Sequence, residues 1–326
     1  MKTTVLKSLK SAAARVLVAL VMLAVSASCA HRELCYDHEH WVDMRVDFDW
    51  SEAPDASPVT MVVWFFPDDE GSRAEDVRSY EFGGRDGGTV RLAAGTYRVV
   101  CFNGGTETLL ERGSTWGDLR LTTDMQSVLA PMGGMMFTAP RPEVSRGEEV
   151  HQAPDRVWTD AIDRVTVSPG AEGQSVTLKP SETTLRLTVT VAKVTNFTRD
   201  LTFSGAASGL AEAVAVAQRA SSGNGVTMPM PISMMPDSTL YGSINIFGHC
   251  PADPLKHILT IYTSNFCYFN FDVTERFHDA LAQGLREIRI DIDSIEIPKK
   301  DPDDGTGLSP GVDGWDEVVD VFIEMD

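Results

Sequence analysis

The sequence predicts an all-β protein of two units with only short helices. Residues 42–50 alternate between apolar and charged side chains, the period-two pattern of a half-buried strand. Residues 59–66, "VTMVVWFF", form an apolar run of strand length between two prolines, which predicts a strand buried on both faces. Strict alternation returns at residues 185–191, where leucine and valine alternate with threonine and arginine, so a second unit begins near Pro180.

Further strands of the first unit follow in order. The segment "GGRDGG", residues 83–88, predicts a turn because repeated glycine supplies positive φ. Residues 89–105 read as two strands that meet at Ala94 and Gly95, and residues 157–167 resume a strand pattern. The intervening residues 106–156 are the least regular part, with a short helix expected within residues 115–129.

In the second unit, residues 207–220 favour a helix by propensity, although Val214 and Val216 also alternate. Three strands are expected later in this unit, at residues 240–247, 258–262 and 268–273. A short helix over residues 274–284 would be capped by Thr274 and ended by Gly284. After it come five isoleucines. A bulge between Ile292 and Ile295 would place Ile288, Ile290, Ile292, Ile295 and Ile297 on the core side.

The N-terminus has the features of a bacterial lipoprotein signal. Four cations precede about ten apolar residues from Val16 to Val25, and small residues then lead to Cys29. The apolar core is too short to span a membrane, which takes about 20 residues. We therefore predict cleavage before Cys29 and lipidation of its thiol. An ordinary secretory signal cut nearby is the alternative.

Charge and cysteine content narrow the possible functions. The chain of 326 residues has a formal net charge of −19, and loss of the four signal cations makes it more negative. Such a surface repels nucleic acid and anionic lipid headgroups, so attachment to a membrane depends on the lipid. Only four cysteines lie beyond Cys29, too few for a disulfide framework. Cys101 and Cys267 are expected to be buried free thiols, while pairing of Cys250 with Cys267 or of Cys35 with Cys101 stays open.

The C-terminal tail has its own pattern. Residues 298–314 have the composition of a linker, and "WDEVVDVFIEM" then ends the chain with a strand-like run. The predicted assembly strand consists of Val318, Val319, Val321, Phe322 and Ile323. It could pair with the molecule's own sheet, which we favour, or with a neighbour's.

No pattern of catalytic residues, cofactor or metal ligands is predicted. His31, Cys35, His38 and His40 lie close in sequence, but a solvated tether explains them better than a metal shell does. Residues 301–307, "DPDDGTG", resemble a calcium loop without its distal acidic ligand. The sequence also lacks a phosphate loop and a nucleophile elbow, and His278 reads as a helix surface residue. We therefore expect a protein that is not an enzyme.

Several segments resemble a known family. "HRELCYDHEH" with the following "VDMRVDFDW" resembles the opening of a Bacteroidales lipoprotein family of unassigned function, and the rest resembles the wider fimbrillin-like group, which includes major and minor fimbrial proteins. The matching segments are "VVWFFP" (62–67), "LAAGTYRVVCFN" (92–103), "PSETTLRLTVTVAKVTN" (180–196), "FDVTERF" (271–277) and "REIRIDIDSIEIP" (286–298).

The resemblance implies two transthyretin-like β-sandwiches in tandem and an outer-membrane lipoprotein on the cell surface. Its partners would be the membrane, through lipid at Cys29, other fimbrial subunits, through strand donation, and a host or glycan ligand. A stalk, anchor or tip-type adhesin role would follow. A non-assembling binder of glycan or protein, using exposed aromatics such as Trp116 or Trp158, is the alternative. The predicted divisions are a signal (1–28), a tether (29–40), two sandwiches (41–178 and 179–298) and an acidic linker with a terminal strand (299–326).

Overall fold

The prediction of an all-β fold is confirmed. The structure, a computed structural model, describes residues 41–68, 76–133, 139–170, 173–251, 256–298 and Trp315. These residues form twenty strands and one α-helix. Short 3₁₀ turns lie at Trp50–Glu52, Ala130–Met132 and Glu143–Ser145.

The strands are numbered in chain order. The first ten are β1 (Trp41–Phe48), β2 (Thr60–Pro67), β3 (Arg78–Gly83), β4 (Gly88–Ala93), β5 (Gly95–Gly104), β6 (Leu109–Arg112), β7 (Arg120–Thr123), β8 (Glu149–Val150), β9 (Trp158–Val167) and β10 (Ser175–Leu178). The others are β11 (Ser181–Glu182), β12 (Leu185–Val191), β13 (Val194–Thr195), β14 (Phe203–Ala215), β15 (Ala220–Met234), β16 (Leu240–Ile246), β17 (Ile258–Thr263), β18 (Tyr268–Asp272), β19 (Glu287–Ile292) and β20 (Ile295–Glu296), with helix α1 (Thr274–Ala282) between β18 and β19.

Two sheets enclose the first hydrophobic core. One has the strand order β10-β1-β4 and the other β11-β9-β5-β2-β3. The alternation in β1 turns Val42, Met44 and Val46 into this core, opposite Val63 and Phe65 of β2. The period-two pattern therefore identified the buried face of β1 correctly.

Strands β2 and β5 contribute to two cores. Met61, Val63 and Phe65 belong to the first core, whereas Phe66 on β2 and Phe102 on β5 belong to a second, larger one. This arrangement explains why the run at residues 59–66 is continuously apolar, and it confirms the prediction of a strand covered on both faces.

The second core packs against a ten-stranded sheet. Its main path is β18-β17-β14-β15-β16-β12-β19, with β7 paired to β14 and β6, and β8 paired to β15. Strands β6, β7 and β8 come from residues 106–156, so part of the first predicted unit completes the sheet of the second. The division at residue 178 stays a prediction.

Two predicted helices are wrong. Residues 120–123 form β7 where a short helix was expected, and most of residues 207–220 form β14 and the turn after it. The small side chains of β14 fit a strand covered on both faces: Ala207 and Ala211 face the second core, and Ala206 joins a third cluster on the opposite face. Packing therefore overrides the helix propensity of alanine.

Helix α1 confirms the helix predicted after β18, with one change at its start. Thr274 does not cap the helix; the carboxylate of Asp272 accepts hydrogen bonds from its backbone N–H and its hydroxyl, at 3.1 and 2.6 Å. Gly284, with φ +68°, follows the helix end as expected. The buried face of α1 contributes Phe277 to the second core.

The five isoleucines near the end of the described chain are all buried, as predicted. The change of phase falls between β19 and β20, and β20 pairs with β13 in a separate two-stranded sheet rather than continuing the path of β19. None of the described cysteines, Cys101, Cys250 and Cys267, is part of a disulfide, so the Cys250–Cys267 pairing does not form, and Cys267 is only half-buried.

Candidate functional site

The residues predicted to carry assembly and anchoring lie outside the described part of the chain. These are Cys29 and the strand residues Val318, Val319, Val321, Phe322 and Ile323. The same holds for the tether residues His31 and Cys35 and for residues 301–307. These assignments stay predictions. Among the described residues no helix has the length and apolar character needed to cross a membrane.

The proposed aromatic platform is not formed by the two tryptophans named for it. Trp158 is buried, with 6% of its surface exposed. Trp116 packs edge-on against Phe66, and the guanidinium of Arg98 lies over its ring. Trp158 therefore serves packing, whereas Trp116 is half-buried and only partly available to a ligand.

A polar cleft nevertheless borders Trp158. Its lining includes Asn103, Glu107, Asp155, Arg156 and Asn245. Asn103 joins the end of β5 to the start of β9. Its side-chain amide donates to the backbone oxygen of Arg156, and its side-chain oxygen accepts from the Trp158 N–H. The cleft thus presents amide, carboxylate and guanidinium groups around one indole.

Arg156 is held rigidly at this cleft. Its guanidinium makes two hydrogen bonds to the carboxylate of Glu182, at 3.0 and 2.6 Å, and lies over the Trp158 ring at 5.0 Å. This bidentate geometry is stronger and more specific than a single contact. The hydrogen bonds to Glu182 raise the pKa of Arg156, so its charge is permanent.

A second feature lies at one end of the ten-stranded sheet. Strand β18 ends the path of this sheet, and the described residues include no further strand beyond it. The indole of Trp315 packs there against the rings of Tyr262, Phe266 and Tyr268. Trp315, three residues before the predicted assembly strand, therefore packs beside the last strand of this path. A strand that pairs along the end of a sheet is held by backbone hydrogen bonds.

The third feature is a cluster of three histidines. His249 follows β16, His257 precedes β17, and His278 lies on α1. Each offers one ring nitrogen, and these three nitrogens all lie within 4.8 Å of one another. The ring centroids are 5.4–6.0 Å apart.

His257 is the fixed member of this cluster. It is fully buried, and its ring stacks on Phe277 with centroids 4.4 Å apart. Nδ1 lies 3.1 Å from the backbone oxygen of Ser208, which only accepts hydrogen bonds, so Nδ1 carries the proton and Nε2 carries a lone pair. Nε2 is buried with no hydrogen-bond partner among the described residues. Leaving such an acceptor unpaired costs about 1–3 kcal/mol.

The surroundings keep His257 neutral. Burial lowers its pKa to about 4, against a contrary effect of the Ser208 hydrogen bond, and the neighbouring imidazoles of His278 and His249 lower it further. A neutral imidazole is the form that binds metals. The exposed His278 and the half-buried His249 complete the cluster toward solvent.

The backbone around Gly209 makes room for the His257 ring. Gly209 has φ +74°, and a Cβ there would lie 2.8 Å from His257 Nδ1 and from the backbone oxygen of Lys256. The register of β14 against β15 shifts at this point, between Ala207 and Leu210. The carboxylate of Glu148 accepts from the Gly209 N–H and from the Thr227 hydroxyl, which fixes the irregularity.

Sequence reasoning missed this cluster. His278 is exposed on α1, as predicted, but its proximity to His249 and His257 was not foreseen. The available signal was that three of the seven histidines fall within residues 249–278: His249 and His257 lie between two predicted strands, and His278 lies in the predicted helix. The pairing of Ile258 with Asp272 then brings His257 beside the start of the helix.

Comparisons with known proteins place these features in context. The model of a family described as a domain of unknown function, DUF5119, matches residues 28–231. A comparison with curated proteins finds no match.

Solved structures are similar to this chain over most of its length. A proposed adhesin from Bacteroides ovatus is 17% identical, with a TM-score of 0.57, covering 83% of this chain and 98% of its own. A proposed polysaccharide-binding protein from Bacteroides thetaiotaomicron is 12% identical, with a TM-score of 0.51, covering 76% and 89%. The fimbrial anchor protein Mfa2 from Porphyromonas gingivalis is 14% identical, with a TM-score of 0.47, covering 78% and 90%.

Proposed function

The chain belongs to the DUF5119 family, and from this premise we propose that it is an outer-membrane lipoprotein that acts in cell-surface adhesion as a fimbrial subunit, anchor or tip-type adhesin. The observation that carries the proposal is the fold shared with the proposed adhesin from Bacteroides ovatus, over nearly the whole of that protein. The proposal includes no catalytic activity.

The position of Trp315 supports a role in assembly. It lies three residues before Val318 and packs beside β18, the strand at the end of the large sheet. A tail that starts at this position can extend the molecule's own sheet or reach the same edge of a neighbouring copy. In both cases backbone hydrogen bonds supply affinity, and alternate side chains such as Val319 and Val321 supply specificity.

Deletion of residues 308–326 tests the assembly role. We expect the intact chain to form oligomers or fibres with its partner subunits, and the truncated chain to lose them, as measured by light scattering and electron microscopy. A variant with Val321→Asp keeps the tail length and should assemble poorly if the strand is donated. If the intact and truncated chains stay monomeric and equally stable, strand donation by the tail is wrong.

Anchoring has a separate test. Cys29→Ser should abolish incorporation of labelled palmitate and release the protein from the outer-membrane fraction, because the lipid is the proposed means of attachment. Cys35→Ser is the matched control and should retain both. A free thiol at Cys29 in the native cell would contradict this part of the proposal.

A second candidate function is a surface lipoprotein that binds glycan or protein without assembling. The polar cleft beside Trp158 favours it, as does the fold shared with the proposed polysaccharide-binding protein. A glycan array should then give a signal that Asn245→Ala lowers, since Asn245 lines the cleft. Absence of any signal, together with tail-dependent assembly, would favour the fimbrial role instead.

A further inference from the structure

We propose that His249, His257 and His278 bind one Zn²⁺ ion, with a fourth coordination position open to solvent. The three histidines come from three separate elements: the segment after β16, the residue before β17, and α1. An ion bound to all three would join these elements at one point. The inference does not depend on the proposed adhesin role.

The donor set determines the class of ion. Three imidazoles suit Zn²⁺ and other late first-row divalent ions, whereas Ca²⁺ and Mg²⁺ require oxygen ligands. Three protein ligands with one open position is an arrangement that zinc adopts in proteins. The adjacent Cys250 is not part of this set; its thiol hydrogen-bonds the backbone oxygen of Gly223.

His257 already has the orientation of a metal ligand. Histidines that bind metals commonly donate the proton of the second ring nitrogen to a carbonyl or carboxylate, which fixes the tautomer and the ring. Here Nδ1 donates to Ser208, the ring is held against Phe277, and Nε2 is left buried without a partner among the described residues. A bound ion would give this lone pair the partner that the protein does not supply.

The other two ligands can adjust to the ion. Nitrogens bound to one tetrahedral Zn²⁺ at about 2.0–2.1 Å lie about 3.3 Å apart, so a cluster within 4.8 Å must contract slightly. His278 is exposed and His249 half-buried, so both can rotate about a fixed His257. Their exposure also provides an entry path and leaves one position for water.

The test is titration of the purified full chain with Zn²⁺ after treatment with a chelator, followed by calorimetry and thermal unfolding. We expect the cluster of the unaltered chain to bind one ion. In His278→Ala the affinity of this site should fall by about a hundredfold or more, since loss of a supporting contact alone costs 10–100-fold. His249→Ala should behave likewise. Zinc should raise the Tm of the unaltered chain but not that of either variant.

Controls separate this site from other histidines. His151→Gln removes a buried histidine that lies outside the cluster and should bind zinc as the unaltered chain does. His31, His38 and His40 are present in every variant, so any ions they hold do not alter the comparison. Because His278 is exposed, its replacement should leave the apo fold intact. Co²⁺ should give the visible spectrum of a four- or five-coordinate site, and His278→Ala should abolish it.

Two results would show that the three histidines do not form a metal site. One is an unaltered chain that binds no Zn²⁺, Co²⁺, Ni²⁺ or Cu²⁺. The other is equal stoichiometry and affinity in the unaltered chain, His249→Ala and His278→Ala. Selective binding of Cu²⁺ or Ni²⁺ by the same three histidines would overturn the assignment to zinc.

Discussion

The indole of Trp315 packs edge-on against the ring of Tyr262, with centroids 5.6 Å apart and planes at 74°. Tyr262 is buried on β17, and its hydroxyl donates to the backbone oxygen of Pro140 at 2.8 Å. Tyr262 therefore connects Trp315 in the tail to β17, inside the large sheet, and to Pro140.

Trp315→Ala should release the tail. The variant loses contacts with three rings, so we expect a decrease of about 1–3 kcal/mol in the free energy of unfolding. Trypsin should also cut faster after Lys299 and Lys300. Trp41→Ala, at an exposed tryptophan on β1, is the control and should leave these cuts unchanged. Equal digestion rates in all three proteins would show that Trp315 does not retain the tail.

Asp272 should stabilise the start of α1 in a pH-dependent way. Burial pushes its pKa up, but the hydrogen bonds from Thr274 and the ammonium of Lys256 outweigh this and hold the pKa below its usual value. A depressed folded-state pKa gives stability that is present above the unfolded value, near 3.9, and lost as the pH falls through the folded value.

Substitution of Asp272 separates charge from capping. Asp272→Ala should cost about 1 kcal/mol at pH 7, and Asp272→Asn less, because an amide oxygen still accepts from Thr274. The loss in free energy of unfolding caused by each substitution should be smaller when urea denaturation is measured at pH 3. Asp279→Asn, on the exposed face of the same helix, should have little effect at either pH. A deficit of Asp272→Asn that is the same at both pH values would contradict the role of charge.

The cysteines should differ in reactivity. Burial raises the pKa of the Cys101 thiol, and the nearby charge of Asp160 adds to the effect, so thiolate forms only when the first core opens. Cys267 is half-buried beside the turn between β17 and β18. Site-resolved alkylation at pH 8 should therefore modify Cys267 at least about a hundredfold faster than Cys101, given ordinary stabilities of 5–15 kcal/mol. In denaturant the two rates should converge. Similar native rates would mean that the first core opens easily.

Local pattern predicted the strands that have one apolar face. The alternation in β1, β12 and β19 is a direct consequence of one face meeting a core, so it can be read from the chain alone. The sequence of β14 has no such contrast, because its two faces are both covered and both need small residues. The packing of Ala206 and Ala207 against different clusters, together with the pairing of β14 with β15 and β17, distinguishes this strand from a helix.

The histidine cluster could not be predicted for a related reason. His249, His257 and His278 are distant in sequence, and their proximity depends on the β17–β18 register and on the bridge between Leu210 and His249. These are long-range pairings that no periodicity reveals. The polar cleft likewise depends on Asn103 and Trp158 meeting across β5 and β9.

Gly209 should be intolerant of any side chain. Its positive φ strains an L-residue, and a Cβ would meet His257 Nδ1 and the Lys256 backbone oxygen at 2.8 Å, so the His257 ring would have to move. We expect Gly209→Ala to lower the free energy of unfolding by about 2 kcal/mol or more, measured by urea denaturation. Gly147→Ala is the matched control, since its Cβ would enter open space and its φ is not positive, and it should change stability by less than about 0.5 kcal/mol. Equal effects of the two substitutions would mean that the bend at Gly209 relaxes freely and does not fix His257.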